Sequence, residues 1–180
     1  SARYGESLES VAAFLSLVDI GRFDDPFQLE SILSYVDGLS IGDTAAKAAI
    51  DLALHDWIGR KLGIPLHQYW GLDKSKTPLS SFTIGIDTPQ VIEEKVREAE
   101  AYPILKIKLG GENDEEIIRT IRRITKKTLR VDANEGWKVK EQAVEKIKWL
   151  EQEGVEFVEQ PMPASDLDGT AWTRERVAIP

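Results

Sequence analysis

Leu105-Lys106-Ile107-Lys108-Leu109 sets two lysines two residues apart inside an apolar run. A strand turns successive side chains to opposite faces, so Lys106 and Lys108 share one face while Leu105, Ile107 and Leu109 share the other. Alone, this is also the pattern of a solvated edge strand. Two further strand patterns follow, and each carries an acid at its end: Leu129-Arg130-Val131-Asp132-Ala133-Asn134 and Val155-Glu156-Phe157-Val158-Glu159. Taken singly, Asp132 reads as a turn former and Glu159 as a strand-end charge. Two ammoniums and two carboxylates at the ends of three successive strands predict one charged site.

Working outward, the chain alternates strand and helix patterns from about residue 79. Leu79 to Gly85 reads as a strand, and Thr88-Pro89 starts a helix with Pro at its first position. After the lysine strand, Gly110-Gly111 reads as a turn and Asp114 opens a helix with the stripe Ile117, Ile118, Ile121 and Ile124. A third helix carries Ala143, Val144, Ile147 and Leu150 and stops at Gly154. Residues 170–177 predict a short helix, and Val177 to Pro180 the approach to another strand. The intervals between Lys108, Asp132 and Glu159 each suit one strand-helix unit of a parallel sheet. In such α/β sheets the C-terminal strand ends gather on one edge, where ligands bind. A doubly wound sheet and a (β/α)₈ barrel both meet this rule, though four strands cannot close a barrel.

Residues 1 to about 70 read as helical. Ser7 or a neighbour caps a first helix, Phe27 to Val36 forms a second, and Asp43 to Lys61 a third. Asp43 is the expected N-cap of that Ala-rich helix, which Gly63 and Pro65 stop. The 180 residues are 42% hydrophobic with five Trp, as in a folded globular chain, and the formal net charge is −8 with no dense basic cluster, which argues against a nucleic-acid partner. No run reaches the length of a membrane span, and Ser1 to Glu6 lacks the character of a signal peptide. Cysteine is absent, which excludes disulfides and thiolate chemistry and fits the cytoplasm. His55 and His67 lack any partner pattern, and Trp137 reads as core or as the edge of a pocket.

Asp132 and Glu159 offer hard anionic oxygens of the kind Mg²⁺ prefers, with a third ligand, water or substrate needed to complete the cage. A lysine near such a cation and beside another ammonium has its pKa pushed down, so Lys108 would act as a base near neutral pH. Together these parts suit removal of a proton next to a carboxylate, with the cation holding the enediolate.

In this order and spacing, Lys106-Ile107-Lys108, Val131-Asp132-Ala133-Asn134 and Val158-Glu159-Gln160-Pro161 resemble the enolase superfamily, in its muconate-lactonising subgroup, and within it the dipeptide epimerases of the L-Ala-D/L-Glu type. The helical block from Ala45 to Trp57 and the strand Ser81-Phe82-Thr83-Ile84-Gly85 extend the likeness over nearly the whole chain. The resemblance implies part of a modified TIM (β/α) barrel preceded by the helical part of an α+β capping domain. Residues 1–76 are then the capping part, and 77–180 the first half of the barrel, strands 1–3 and the approach to strand 4. It implies an isomerase that epimerises a dipeptide through an enediolate, with Mg²⁺ as cofactor. Lys108 takes the acid/base role, and Lys106 lowers its pKa and helps with the charge of the substrate carboxylate. Asp132 and Glu159 take the places of the first two Mg²⁺ ligands, Thr83 contacts substrate, and Asn134 supports the metal strand's end. The third ligand, an opposing lysine and an Asp-x-Asp segment are expected beyond Pro180, in a parent roughly twice as long. Ser1 is expected not to be a natural start. Similar enzymes often assemble, so a homo-oligomer is expected, in the cytoplasm, with no nucleic-acid or membrane partner. Two alternatives stand beside this: a muconate cycloisomerase or o-succinylbenzoate synthase on the same scaffold, and a non-catalytic, truncated metal-binding module.

Overall fold

Residues 5–180 are described in a computed structural model and fall into two units, Ser1–Thr77 and Pro78–Pro180. The stretch Ser1 to Tyr4, read above for a leader, lies outside the described residues. No helix among the described residues is long and apolar enough to cross a membrane.

The first unit is helical. α1 (Leu8–Leu17) starts at Ser7, whose hydroxyl accepts the Ser10 N–H while the Ser10 hydroxyl accepts the Ser7 N–H, a reciprocal cap. α2 (Leu29–Gly38), α3 (Thr44–Leu62) and the short α4 (Leu66–Tyr69) follow. The expected cap of α3 is corrected. Asp43 lies in the left-handed region at φ 51° and caps no amide; its carboxylate accepts the Ser40 hydroxyl at 2.6 Å. Glu6 takes over the helix start, accepting from the Ala45 N–H at 3.3 Å and the Thr44 hydroxyl at 3.1 Å. A carboxylate there also suits the positive end of the helix dipole. At the other end Gly63 adopts φ 68° and closes α3, as its lack of a side chain allows. The core is Phe14, Ile32, Val36 and Ala46, with Val11, Ile50 and Leu54 packed against it.

The second unit is built on four parallel strands: β1 (Ser81–Ile84), β2 (Ile104–Lys108), β3 (Thr128–Asp132) and β4 (Val155–Glu159). The helices α5 (Pro89–Glu98), α6 (Asp114–Ile124) and α7 (Lys140–Gln152) lie between them in sequence, and α8 (Leu167–Arg174) follows β4. The strand order is β1-β2-β3-β4, with no reversal. A doubly wound sheet reverses at a switch point, whereas a barrel adds each strand to the same side. The two architectures left open by spacing are thereby separated in favour of the barrel. β1, the strand read at Leu79 to Gly85, pairs with β2 along its whole length and is a full member of the ladder. The short helix expected at 170–177 sits three residues earlier, since Asp166 caps it by accepting the Gly169 N–H at 2.8 Å.

One face of the sheet is apolar. Leu105, Ile107, Leu129, Val131, Val155 and Val158 pack against Ile92 and Val96 of α5, Ile117, Ile118 and Ile121 of α6, and Ala143, Ile147 and Leu150 of α7. The opposite face carries Lys106, Lys108, Arg130 and Asp132. In β4 strict alternation from the buried Val155 would turn Glu159 toward the helices. A bulge prevents this. Leu129 pairs with Val155 and Val131 with Val158, so β4 spends three residues where β3 spends two. Val158 is thus returned to the helix face, and Glu159 comes into register with Asp132 on the charged face.

Candidate active site

Parallel register sets Lys108 level with Asp132, and Asp132 level with Glu159. Lys106, two residues back, leans toward the same rim. Its ammonium donates to Glu159 Oε2 at 2.6 Å and lies 3.0 Å from Asp132 Oδ2. Lys108 Nζ donates to the same Asp132 Oδ2 at 2.7 Å and to Asn134 Oδ1 at 2.9 Å. The other carboxylate oxygen, Oδ1, accepts the backbone N–H of Asn134 at 3.0 Å. Five of the six residues singled out from sequence therefore meet in one cluster. The sixth, Thr83, is level with Lys106 across β1 and β2, but hydrogen-bonds none of these side chains among the described residues.

Asp132 is 2% exposed, whereas the side chains of both lysines are partly open and that of Glu159 is 43% exposed. Burial works against the charge on Asp132. The hydrogen bonds from Lys108 and Lys106 and from the Asn134 amide outweigh it, and the carboxyl is held below its ordinary value. The hydrogen bond to Glu159, and then that to Asp132, holds the Lys106 ammonium above its ordinary value. Two carboxylates, Glu159 and Asp132, thus face the Lys106 ammonium.

The rim is built from unusual backbone. Asn134, Glu135 and Gln160 all have positive φ, at 46°, 64° and 45°. The Glu135 N–H donates to the Gln160 carbonyl at 2.8 Å, and the Trp137 N–H to the Pro161 carbonyl at 3.2 Å. Non-glycine residues in this region cost conformational energy and tend to gather at functional sites. Below the rim lies a pair that the sequence reading passed over: Arg130 Nε donates to Glu156 Oε2 at 2.5 Å, with its guanidinium 5.2 Å from the centre of the Phe157 ring. The signal was available, since Arg130 precedes Asp132 by one strand period on the same face. Trp137, read as core or pocket edge, is core at 3% exposed.

Two carboxylates on adjacent strand ends fit a hard divalent cation as two of its ligands. No group of three or more His, Cys, Asp or Glu side chains able to hold a metal occurs among the described residues.

Comparison with known proteins follows the same division of the chain. The profile of the mandelate racemase / muconate lactonizing enzyme N-terminal domain matches residues 3–71, and that of the enolase C-terminal domain-like family matches residues 90–180. The L-Ala-D/L-Glu epimerase of Bacteroides thetaiotaomicron is 53% identical over 177 residues, which are 98% of this chain and 46% of that protein. A crystal structure of a dipeptide epimerase from Enterococcus faecalis V583 superposes with a TM-score of 0.82 at 33% identity, over 98% of this chain and 52% of that one. A dipeptide epimerase from Cytophaga hutchinsonii, complexed with Mg and the dipeptide D-Ala-L-Val, gives a TM-score of 0.81 at 29% identity, over 98% and 50%. The chain spans about half the length of the curated relatives it matches. With both domain profiles matched on either side of the unit boundary, the chain belongs to the mandelate racemase / muconate lactonizing enzyme family of the enolase superfamily.

Proposed function

We propose that the full-length protein is a Mg²⁺-dependent epimerase of dipeptides of the L-Ala-D/L-Glu kind. One observation carries this: Lys106, Lys108, Asp132 and Glu159 meet at the C-terminal ends of three adjacent parallel strands, with Lys108 Nζ 2.7 Å from Asp132 Oδ2. The named activities of the similar proteins, and the Mg and dipeptide bound to one of them, support it.

In this proposal Asp132 and Glu159 are two of the Mg²⁺ ligands. The ion, when bound, supplies positive charge to the oxygens of the substrate carboxylate and so stabilises the enediolate formed on loss of the α-proton. Lys108 removes and returns that proton on one face of the α-carbon. Lys106 offsets the charge of the substrate carboxylate. Asn134 Oδ1 orients the Lys108 ammonium, and Thr83 at the end of β1 contacts the substrate. Inversion needs, besides these residues, a second acid/base on the opposite face of the α-carbon and a third oxygen ligand. A cytoplasmic location is part of the same proposal.

The test incubates the full-length protein with Mg²⁺ and L-Ala-L-Glu in D₂O. Deuterium should enter the α-carbon of the C-terminal residue, read by NMR. No incorporation across a panel of dipeptides would end this assignment.

A further inference from the structure

Asp114 stands at the first position of α6, 2% exposed, and every donor it meets comes from a different place than its own helix. Oδ1 accepts the N–H groups of Gly110 and Gly111, each at 2.9 Å. Oδ2 accepts the indole N–H of Trp137 at 2.8 Å and the Lys146 ammonium at 2.7 Å. Gly110 is the second residue after Lys108, and Trp137 the third after Asn134. A carboxylate serving only to cap would bond the free amides of its own first turn. This one reaches back, and joins the loop leaving β2 to the loop leaving β3.

The two loops also touch directly. Gly110 has φ 112°, and a Cβ there would strike the Ala133 carbonyl; a Cβ at Gly136 would strike the Gly110 backbone. The Leu109 N–H donates to the Asp132 carbonyl at 3.0 Å. Such close contact leaves the loops little room to move, provided something holds them together.

We propose that Asp114 is a positioning residue: by clamping the Gly110-Gly111 loop to Trp137, its buried carboxylate fixes where Lys108 stands relative to Asp132 and Asn134. The four donors also explain how a carboxylate is accommodated with so little water, since an unpaired buried charge would be costly. The inference rests on the function proposed above for its kinetic arm only.

The test uses the full-length protein with Mg²⁺. Asp114→Asn keeps the shape but has one acceptor oxygen, so it can satisfy the glycine amides or the indole and ammonium, not both. Trp137→Phe keeps the ring and removes one donor. Asp114→Asn should lower kcat about 100-fold, the scale of a displacement near 1 Å, while KM changes less than about threefold. Trp137→Phe should move kcat the same way by less. Hydrogen–deuterium exchange should quicken together in segments 109–113 and 133–138, and stay unchanged in the β2 and β3 segments before them. A kcat within threefold of wild type overturns the inference, as does faster exchange in one loop alone or throughout the unit, the mark of general destabilisation. A wild-type protein inert on every dipeptide strikes only the proposed function. The hydrogen–deuterium exchange then decides, and its constancy in Asp114→Asn overturns the inference.

Discussion

Lys108 and Lys106 share Asp132 Oδ2, but only Lys108 donates to Asn134 Oδ1 and only Lys106 to Glu159. Lys108→Ala in the full-length protein should cut α-proton exchange by about 10²–10⁴-fold, the usual contribution of a general base, with Mg²⁺ affinity retained. Equal losses of exchange and of metal binding would contradict the role. Asp132 gives a pH prediction for the metal-free protein. Its folded-state pKa lies below the unfolded value, so its interactions stabilise the fold above the ordinary Asp range and are lost as pH falls through the folded value. Lys106 acts with the opposite sign: its raised pKa supplies stability below the ordinary lysine value that is lost as pH rises through the folded one. Asp132→Asn should then flatten the acid limb, below about pH 4, of a stability profile measured by denaturant unfolding. An unchanged acid limb would show that the ion pairs are not what holds that carboxyl ionised.

The loops leaving β2 and β3 pack closely on one another. Gly136 has ordinary φ, yet a Cβ on it would meet the Gly110 backbone and the Ala133 carbonyl, none of which can swing aside. Gly136→Ala should cost about 1–3 kcal/mol, the range for an overpacked site, read as a lowered midpoint of chemical denaturation. A midpoint within error of wild type would mean that the two loops yield. Elements with strong periodicity were legible in the sequence: Ile117, Ile118 and Ile121 mark one face of α6, and Lys106 and Lys108 one face of β2, because period alone assigns faces. The charged rim was legible for the same reason. Glu159 was placed there correctly, although alternation alone would have sent it to the helices; only the pairing with β3 reveals the bulge. Asp114 could be read as a helix opener but not as a clamp, since its partners Trp137 and Lys146 are brought near by tertiary packing. Asp43 misled because its residue type suits a cap while its left-handed backbone does not.

Among the described residues the two hydrophobic clusters of the molecule share no residue: one runs over β1 to β4 and their helices, the other joins α1, α2 and α3. Truncating a core side chain in one should leave the other's buried amides untouched, each cluster opening as its own cooperative unit. Ile118→Ala, at a fully buried position, should destabilise the second unit by about 2–5 kcal/mol. Native-state hydrogen exchange should register that loss in the β2 and β3 amides and no change in those of α2 and α3. A uniform rise in exchange would mean that both units open as one. The bulge in β4 has its own consequence, for the insertions and deletions this gene can survive. Loss of one residue between Val155 and Val158 would leave a regular ladder with Glu159 still beside Asp132, whereas gain of one would leave a regular ladder only with Glu159 carried two positions past Asp132. Drift in the length of this strand is therefore one-sided: shortening is open to it, and lengthening is closed.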